Sequence, residues 1–335
     1  MSLPPLSILD LATVAEGESV REGLQASVEL AQRAERWGFR RIWYAEHHNM
    51  RSIASSATSV MIGHVASQTS TITLGAGGVM LPNHSPLQIA EQFGTLAELF
   101  PGRIELGLGR APGTDQNTFR ALRRDPRASE TFPQDVQELQ AFLDGQSLVE
   151  GVDAYPGRGT RVPLFILGSS LYGAQVAAIL GLPYAFASHF APDQLEAAVQ
   201  TYRSEFRPSA HLAAPRVLAG VNVIAADSAE EAAERQHRAQ LSRVKLFLSR
   251  GGHRLTDEEA EAVLSTPSGR QILGMMKYTA VGTPDTVETW LEDFAQRVGV
   301  DELIVACPVV DRAGWFRSFE LLAGLMSDSA QFTHA

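Results

Sequence analysis

The sequence predicts an α/β fold, a closed (β/α)8 barrel of parallel strands wrapped by helices. Apolar runs of strand length alternate strictly with segments of helical period along all 335 residues, and eight such units can be counted. Strict alternation means a parallel sheet covered by helices. Eight units favour closure into a barrel over the competing open, doubly wound sheet. A long helical stretch follows the seventh strand, which makes the prediction a TIM barrel with a helical insertion after strand 7. No composition shift marks a linker. The chain, residues 1–335, therefore reads as a single domain with residues 228–280 inserted in the seventh strand–helix connection.

Each element has its own justification. Residues 6–11 are a short apolar run and form the first strand. Ser19 caps a helix over 20–37, in which Leu24, Val28, Ala31 and Ala34 keep a helical period and Gly38 ends it. The second strand opens at Arg41. A helix covers 56–68, and the third strand, 72–81, contains the run Gly75-Ala76-Gly77-Gly78. Pro86 starts a helix through 100, with Ile89, Phe93, Leu96 and Leu99 on one stripe. Pro101-Gly102 turns into the fourth strand at 103–110. A polar loop (111–129) leads to a helix at 133–143, and the turn-rich stretch 145–161 has room for a short hairpin. The fifth strand is 162–167, followed by a small-residue helix at 171–180 that Gly181 closes. The sixth strand spans 184–190, a helix 192–206, and the seventh strand 216–226. Helical periods then run over 229–249, 257–264 and 268–277. Val281-Gly282-Thr283-Pro284-Asp285 opens a further helix to 298, 302–309 is the eighth strand, and 313–326 the closing helix.

Composition narrows the function classes. A net charge of −10 without a long basic run argues against nucleic acid or an anionic membrane as partner. The single cysteine, Cys307, excludes an internal disulfide and a cysteine-rich metal site. The N-terminus lacks a signal-peptide pattern. The longest apolar stretch, 217–226, is too short to span a bilayer. The expected location is the cytoplasm.

Catalytic groups of such barrels stand at the carboxyl ends of the strands. In this parse those ends are Glu46-His47-His48, Gly77-Gly78, Arg110, Ser169-Ser170 and Ser188-His189, far apart in sequence yet converging on one mouth. Along Arg41-Ile42-Trp43-Tyr44-Ala45-Glu46-His47-His48, a strand places Ala45 and His47 on one face and Glu46 and His48 on the other. The histidines then point opposite ways, which disfavours a metal site. Gly107, Gly109 and Gly113 have the wrong spacing for a dinucleotide fingerprint. Gly168-Ser169-Ser170 at the start of a helix suits a phosphate, or else plain capping by Ser170. Arg110 can add a charge-assisted bond to the same phosphate or pair with a carboxylate. Gly77-Gly78 lets the backbone lie against a flat ring, or marks a bulge.

These motifs, in this order, resemble the bacterial luciferase-like family of flavin-dependent monooxygenases. The similarity is carried by residues 41–48, by Gly75 to Pro86 and by Pro-Gly-Arg-Ile-Glu-Leu-Gly-Leu-Gly-Arg at 101–110. Gly168-Ser169-Ser170 with its Ala-rich helix and Val281-Gly282-Thr283-Pro284 extend it over most of the chain. The resemblance implies a barrel that uses reduced FMN as co-substrate with O2 and oxidises a small organic substrate through a flavin hydroperoxide. It also implies a separate NAD(P)H:flavin reductase as supplier and a homodimer as the assembly. His47 matches the active-site histidine and Glu46 its acidic, orienting neighbour. Gly77 and Gly78 match a non-prolyl cis peptide under the ring. Arg110, Gly168, Ser169, Ser170, Leu171 and Tyr172 match cofactor-binding positions. His48, Ser188 and His189 are weaker substrate or lid positions, and residues 228–280 are the expected lid. The luciferase subunit proper has a cysteine where this chain has Gly109, which argues against a true luciferase. A deazaflavin-dependent dehydrogenase on the same barrel and a non-catalytic flavin-binding subunit are the alternatives.

Overall fold

Nine strands, all parallel to their neighbours, organise the chain in a computed structural model that describes residues 3–111, 116–249 and 255–331. They are β1 (Leu6–Asp10), β2 (Arg41–Tyr44), β3 (Thr73–Met80), β4 (Ile104–Gly109), β5 (Leu164–Gly168), β6 (Tyr184–Phe186), β7 (Val217–Ala225), β8 (Thr279–Gly282) and β9 (Glu302–Ala306). Eight of them, β1 to β7 and β9, close into a barrel: β1 pairs with both β2 and β9, and β7 with both β6 and β9. The helices are α1 (Val20–Trp37), α2 (Thr58–Ala66), α3 (Pro86–Leu99), α4 (Gln116–Ala121), α5 (Phe132–Asp144), α6 (Leu171–Leu180), α7 (Leu195–Glu205), α8 (Ala229–Leu248), α9 (Asp257–Leu264), α10 (Pro267–Gly274), α11 (Pro284–Val298) and α12 (Arg312–Gln331).

Local chemistry sets the helix ends. Ser19 accepts from the Glu22 amide while Glu22 returns to the Ser19 amide, a reciprocal cap that satisfies two donors of α1. Gly38 ends the helix at φ 82°, a conformation that costs a residue without Cβ nothing.

Strand alternation then sorts the side chains. Leu9, Trp43, Ala45, Phe165, Ala185, Leu218 and Ile304 form one cluster inside the barrel. Ile8, Ile42, Tyr44, Leu74 and Leu106 belong to the larger core between strands and helices. The barrel floor is ionic. Arg41 pairs with Glu302 at 2.8 Å and also with Glu105, while Arg216 reaches Glu302 at 2.6 Å and the Ser7 hydroxyl donates to it at 2.5 Å.

Several elements depart from the sequence expectation. The sequence reading has no strand between the helix ending at 277 and the one opened by Val281–Asp285, yet β8 forms at Thr279–Gly282. It pairs only with the far half of β7, Asn222 to Ala225, and so lies outside the barrel circuit. The polar loop after β4 contains α4 and a short 3-10 turn at Pro126–Ser129, and Gly113 lies outside the described residues. No hairpin forms among 145–161; those residues are turns. β6 and β9 are shorter than 184–190 and 302–309, because the chain leaves the sheet where it reaches the mouth. The region 228–280, of which 250–254 lie outside the described residues, contains α8, α9 and α10. These share a small apolar core of their own: Leu241, Val244, Ala260 and Ile272.

Candidate active site at the barrel mouth

The site is built from the carboxyl ends of the strands. Trp43 and Ala45 point into the barrel, and the alternation carries on to His47, which leaves Glu46 on the opposite side. Glu46 is almost fully buried, and its Oε1 accepts from His48 Nε2 at 2.7 Å, His84 Nε2 at 2.9 Å and Asn83 Nδ2 at 3.3 Å. Its Oε2 accepts from the Met80 amide at 3.0 Å. Burial opposes ionisation, but the bonds from His48, His84 and Met80 outweigh it and hold the carboxyl down at about 2. The same hydrogen bond pushes the His48 pKa up. Glu46 is therefore a carboxylate that ties β2 to the turn after β3. Arg124 braces that turn from outside by donating to the Pro82 and His84 carbonyls.

His47 stands apart from this cluster. Its Nδ1 is buried and has no hydrogen-bond partner among the described residues. Burial lowers its pKa, against the pull of the Glu46 carboxylate, so the ring is neutral near pH 7. His189 faces the same interior from the end of β6, with Nδ1 also buried and unpartnered. Burial, then the positive charges of Arg243 and His47, push its pKa down to about 3. Asn222 of β7 fixes its backbone by donating to the His189 carbonyl at 2.7 Å. Ser188 is fully buried and donates to the Gly220 carbonyl at 2.6 Å, so its hydroxyl locks β6 to β7.

Next to β2, the strands β3 and β4 are lined with glycine. The Gly77-Gly78 bond is cis, and the β3–β4 register shifts between Ala76 and Val79, so the bulge and the cis peptide coincide. A Cβ on Gly78 would lie 2.7 Å from the Gly107 carbonyl oxygen. At the end of β4 the Arg110 guanidinium stacks 4.3 Å over the Tyr172 ring, which brings the end of β4 to the first turn of α6. Ser170 occupies the N-cap position of α6 yet makes no side-chain cap bond; the Leu171 amide is met by Gln194 at 3.3 Å. The capping alternative for Ser170 is thus not realised. Gly168 is the last residue of β5, Ser169 is exposed, and Leu171 is partly exposed at the helix start.

The structure brings the expected residues to one end of the barrel and divides them into three groups. Arg110 and the α6 start are on the β4–β5 side, His47 and His189 face the interior, and Glu46 and His48 sit behind β2. Sequence reasoning missed His84 and Asn83 as partners of Glu46, although both lie within the Gly75 to Pro86 stretch. Two open grooves, one along α1 (Gln25, Arg33, Trp37) and one beside Pro4 and Pro5, lie on the barrel's outside, away from this chemistry.

A closed parallel barrel with buried ionisable groups gathered at its carboxyl mouth is the layout of barrel enzymes. The chain belongs to the luciferase-like monooxygenase family, whose model matches residues 5–302, and is accordingly a flavin-dependent monooxygenase. It is 47% identical over 317 residues to a luciferase-like monooxygenase of Escherichia coli K12, covering 94% of this chain and 95% of that protein. It is 32% identical to the N-acetyl-S-alkylcysteine monooxygenase of Bacillus subtilis, over 95% of this chain and 97% of that one. The solved structure of apo-MsnO8 superposes with a TM-score of 0.87 at 34% identity, covering 97% of this chain and 98% of that one. Two more distant structures share the fold. One is the FMN-bound oxygenating constituent of 3,6-diketocamphane monooxygenase from Pseudomonas putida (TM-score 0.70, 17% identity, 96% of each chain). The other is an F420-dependent secondary alcohol dehydrogenase (TM-score 0.71, 13% identity, 97% of this chain and 99% of that one). Among the described residues, no helix is long and apolar enough to cross a membrane.

Proposed function

We propose that this monooxygenase uses reduced FMN and O2 to oxidise a small organic substrate, with a separate NAD(P)H:flavin reductase as the source of reduced FMN. We read it as a cytoplasmic homodimer whose single domain carries α8–α10 as a lid over the mouth. The observation that supports the FMN reading best is the β4–β5 side of the mouth. There a guanidinium (Arg110), a stacked Tyr172 and a helix start without its serine cap form a phosphate cradle. The orphaned Nδ1 of His47 lies at the same end of the barrel.

These residues fit an FMN. Arg110 and the first amides of α6, with Gly168, Ser169, Ser170, Leu171 and Tyr172 around them, would hold the phosphate. The Gly77-Gly78 segment would lie along the ring. When bound, reduced FMN supplies the electrons with which O2 is activated. His47, neutral and shielded from water, gives or takes a proton through Nδ1. Glu46 acts one step back as a positioning residue, since its carboxylate fixes His48 and His84 and thereby the loop on which His47 stands. A lid over the mouth would keep water from the reacting groups.

A thioether of the N-acetyl-S-alkylcysteine kind is the first substrate to try, given the full-length relative that carries that activity. Anaerobic titration with reduced FMN and with reduced F420, followed by oxygen, tests the reading. Saturable FMN binding and oxygen uptake are expected, and His47→Ala should keep FMN binding while lowering product formed per O2 consumed. Binding of F420 alone, with hydride transfer and no oxygen uptake, would sink it.

A further inference from the structure

The turn after β3 carries the partners of Glu46, and a donor outside the strand holds it. Leu81, Pro82 and Asn83 form one short, buried 3-10 turn, closed by the His84 amide donating to the Leu81 carbonyl at 2.9 Å. So short a turn leaves carbonyls that need partners from elsewhere. Arg124 supplies two donors from the segment between β4 and α5. Its Nε reaches the Pro82 carbonyl at 3.0 Å and its Nη2 the His84 carbonyl at 2.5 Å. Just before it the chain bends at Arg123, whose φ of 56° is uncommon for a residue with a Cβ. The Arg123 amide bonds back to the Arg120 carbonyl of α4 at 3.0 Å, so the guanidinium is carried on anchored backbone.

What Arg124 holds is the imidazole that closes Glu46. His84 Nε2 lies 2.9 Å from Oε1 and 3.0 Å from Oε2, astride both oxygens, while His48 and Asn83 meet Oε1. Glu46 is ionised and can only accept, so His84 Nε2 carries the hydrogen. The same residue passes the hold on to β3. Its Oε2 accepts from the Met80 amide at 3.0 Å, and its own amide donates to the Gly78 carbonyl at 3.2 Å. A run of hydrogen bonds thus leads from Arg124, through His84 and Glu46, to the backbone on both sides of Val79. The segment that bears Arg124 also touches the cofactor side, where the Ser129 hydroxyl donates to the Arg110 carbonyl at 3.4 Å.

We propose that Arg124 is a positioning residue of the site at the barrel mouth. By holding the Pro82 and His84 carbonyls it sets His84 on Glu46, and through Glu46 it sets the Gly78–Met80 backbone. A guanidinium suits this task because its donors form a rigid fork, which fixes two carbonyls relative to each other. A lysine ammonium is a single point of charge on a flexible stem and cannot impose that angle. The effect on flavin chemistry rests on the monooxygenase reading, in which Gly77-Gly78 lies along the ring, whereas the positioning of His84 does not.

Long-range 1H–15N spectra of the full chain without flavin test the hold on His84. In the wild type its ring should be the Nε2–H tautomer, with that hydrogen in slow exchange. Arg124→Met should speed the exchange by about 10-fold or more, the scale of one charge-assisted hydrogen bond. The shifts of His237, which pairs with Glu261 on the insertion, should stay as they are and so exclude a general loosening. On mixing with O2, bound reduced FMN should return to oxidised flavin about 10-fold faster in Arg124→Met, with its affinity within about twofold of the wild type. Arg124→Lys should fall between the two proteins, and it decides the matter should Arg124→Met fail to fold. Arg124→Met combined with His84→Gln should match His84→Gln alone in that rate, because the arginine acts through this imidazole. Unchanged His84 exchange, effects that add in the double variant, or an FMN affinity lowered as in Arg110→Ala each overturns the proposal. If the wild type fails to bind FMN while His84 responds to Arg124 as expected, the monooxygenase reading falls and the positioning role stands.

Discussion

His189 carries a measurable signature of its surroundings. In the folded chain its pKa is pushed down to about 3, first by burial and then by Arg243 and His47, against an ordinary value of 6.5. Below pH 6.5 the unfolded chain therefore binds a proton that the folded chain refuses, so stability falls as pH drops from 6.5 toward 3. Glu46 adds a second limb. Its carboxyl sits at about 2 in place of 4.5, so its contribution is complete above pH 4.5 and is lost as pH falls toward 2. Urea midpoints measured across this range should decline in two stages. His189→Asn should flatten the upper stage and leave the lower. An unchanged upper slope in that variant would show that His189 does not control it. At this scale the sequence exposed the residues of the Glu46-His47-His48 run but not their partners. His84 and Asn83 reach Glu46 from the turn after β3, and a carboxylate just past a strand end carries no mark of which distant imidazole will meet it.

At the scale of single elements, β3 and β4 show why glycine recurs at the mouth. A Cβ on Gly107 would overlap the Ala76 carbonyl oxygen and a Leu167 methyl. The first obstacle is backbone of the adjoining strand and cannot rotate away. Gly107→Ala should thus destabilise by about 1–3 kcal/mol, the usual cost of overpacking. A denaturation midpoint equal to that of the wild type would contradict this. Helices and most strands were legible because their periods are local. β8 was not, since four residues of mixed burial next to Thr283-Pro284 carry little strand signal and gain their partner only from the far half of β7. α6 was legible as a helix. Whether Ser170 caps it was not, because the answer depends on Gln194 from the following helical unit.

For the molecule as a whole, the floor of the barrel matters as much as the mouth. Glu302 is wholly buried and holds Arg41, Arg216 and Ser7 around one carboxylate, joining β1, β2, β7 and β9. Glu302→Ala would leave Arg41 buried with less than its share of counter-charge. The expected loss is about 3–5 kcal/mol, the range for breaking a buried pair by removing one partner. Chemical denaturation of Glu302→Ala beside Glu302→Gln measures it. A loss below about 1 kcal/mol, the level of an exposed pair, would show the floor to be solvated.

The sequence by itself determined the barrel, the order of its strands and the set of strand ends at which chemistry is sought. Strand and helix periods are written in neighbouring residues, and parallel connections leave few ways to assemble eight of them. Tertiary structure alone decided which of those residues share a side chain's environment. It turned Glu46 away from His47 and toward His84, stacked Arg110 on Tyr172, and set β8 beside β7. Such pairings arise from the closure of the sheet and the packing of an insertion on it, and neither leaves a period in the chain.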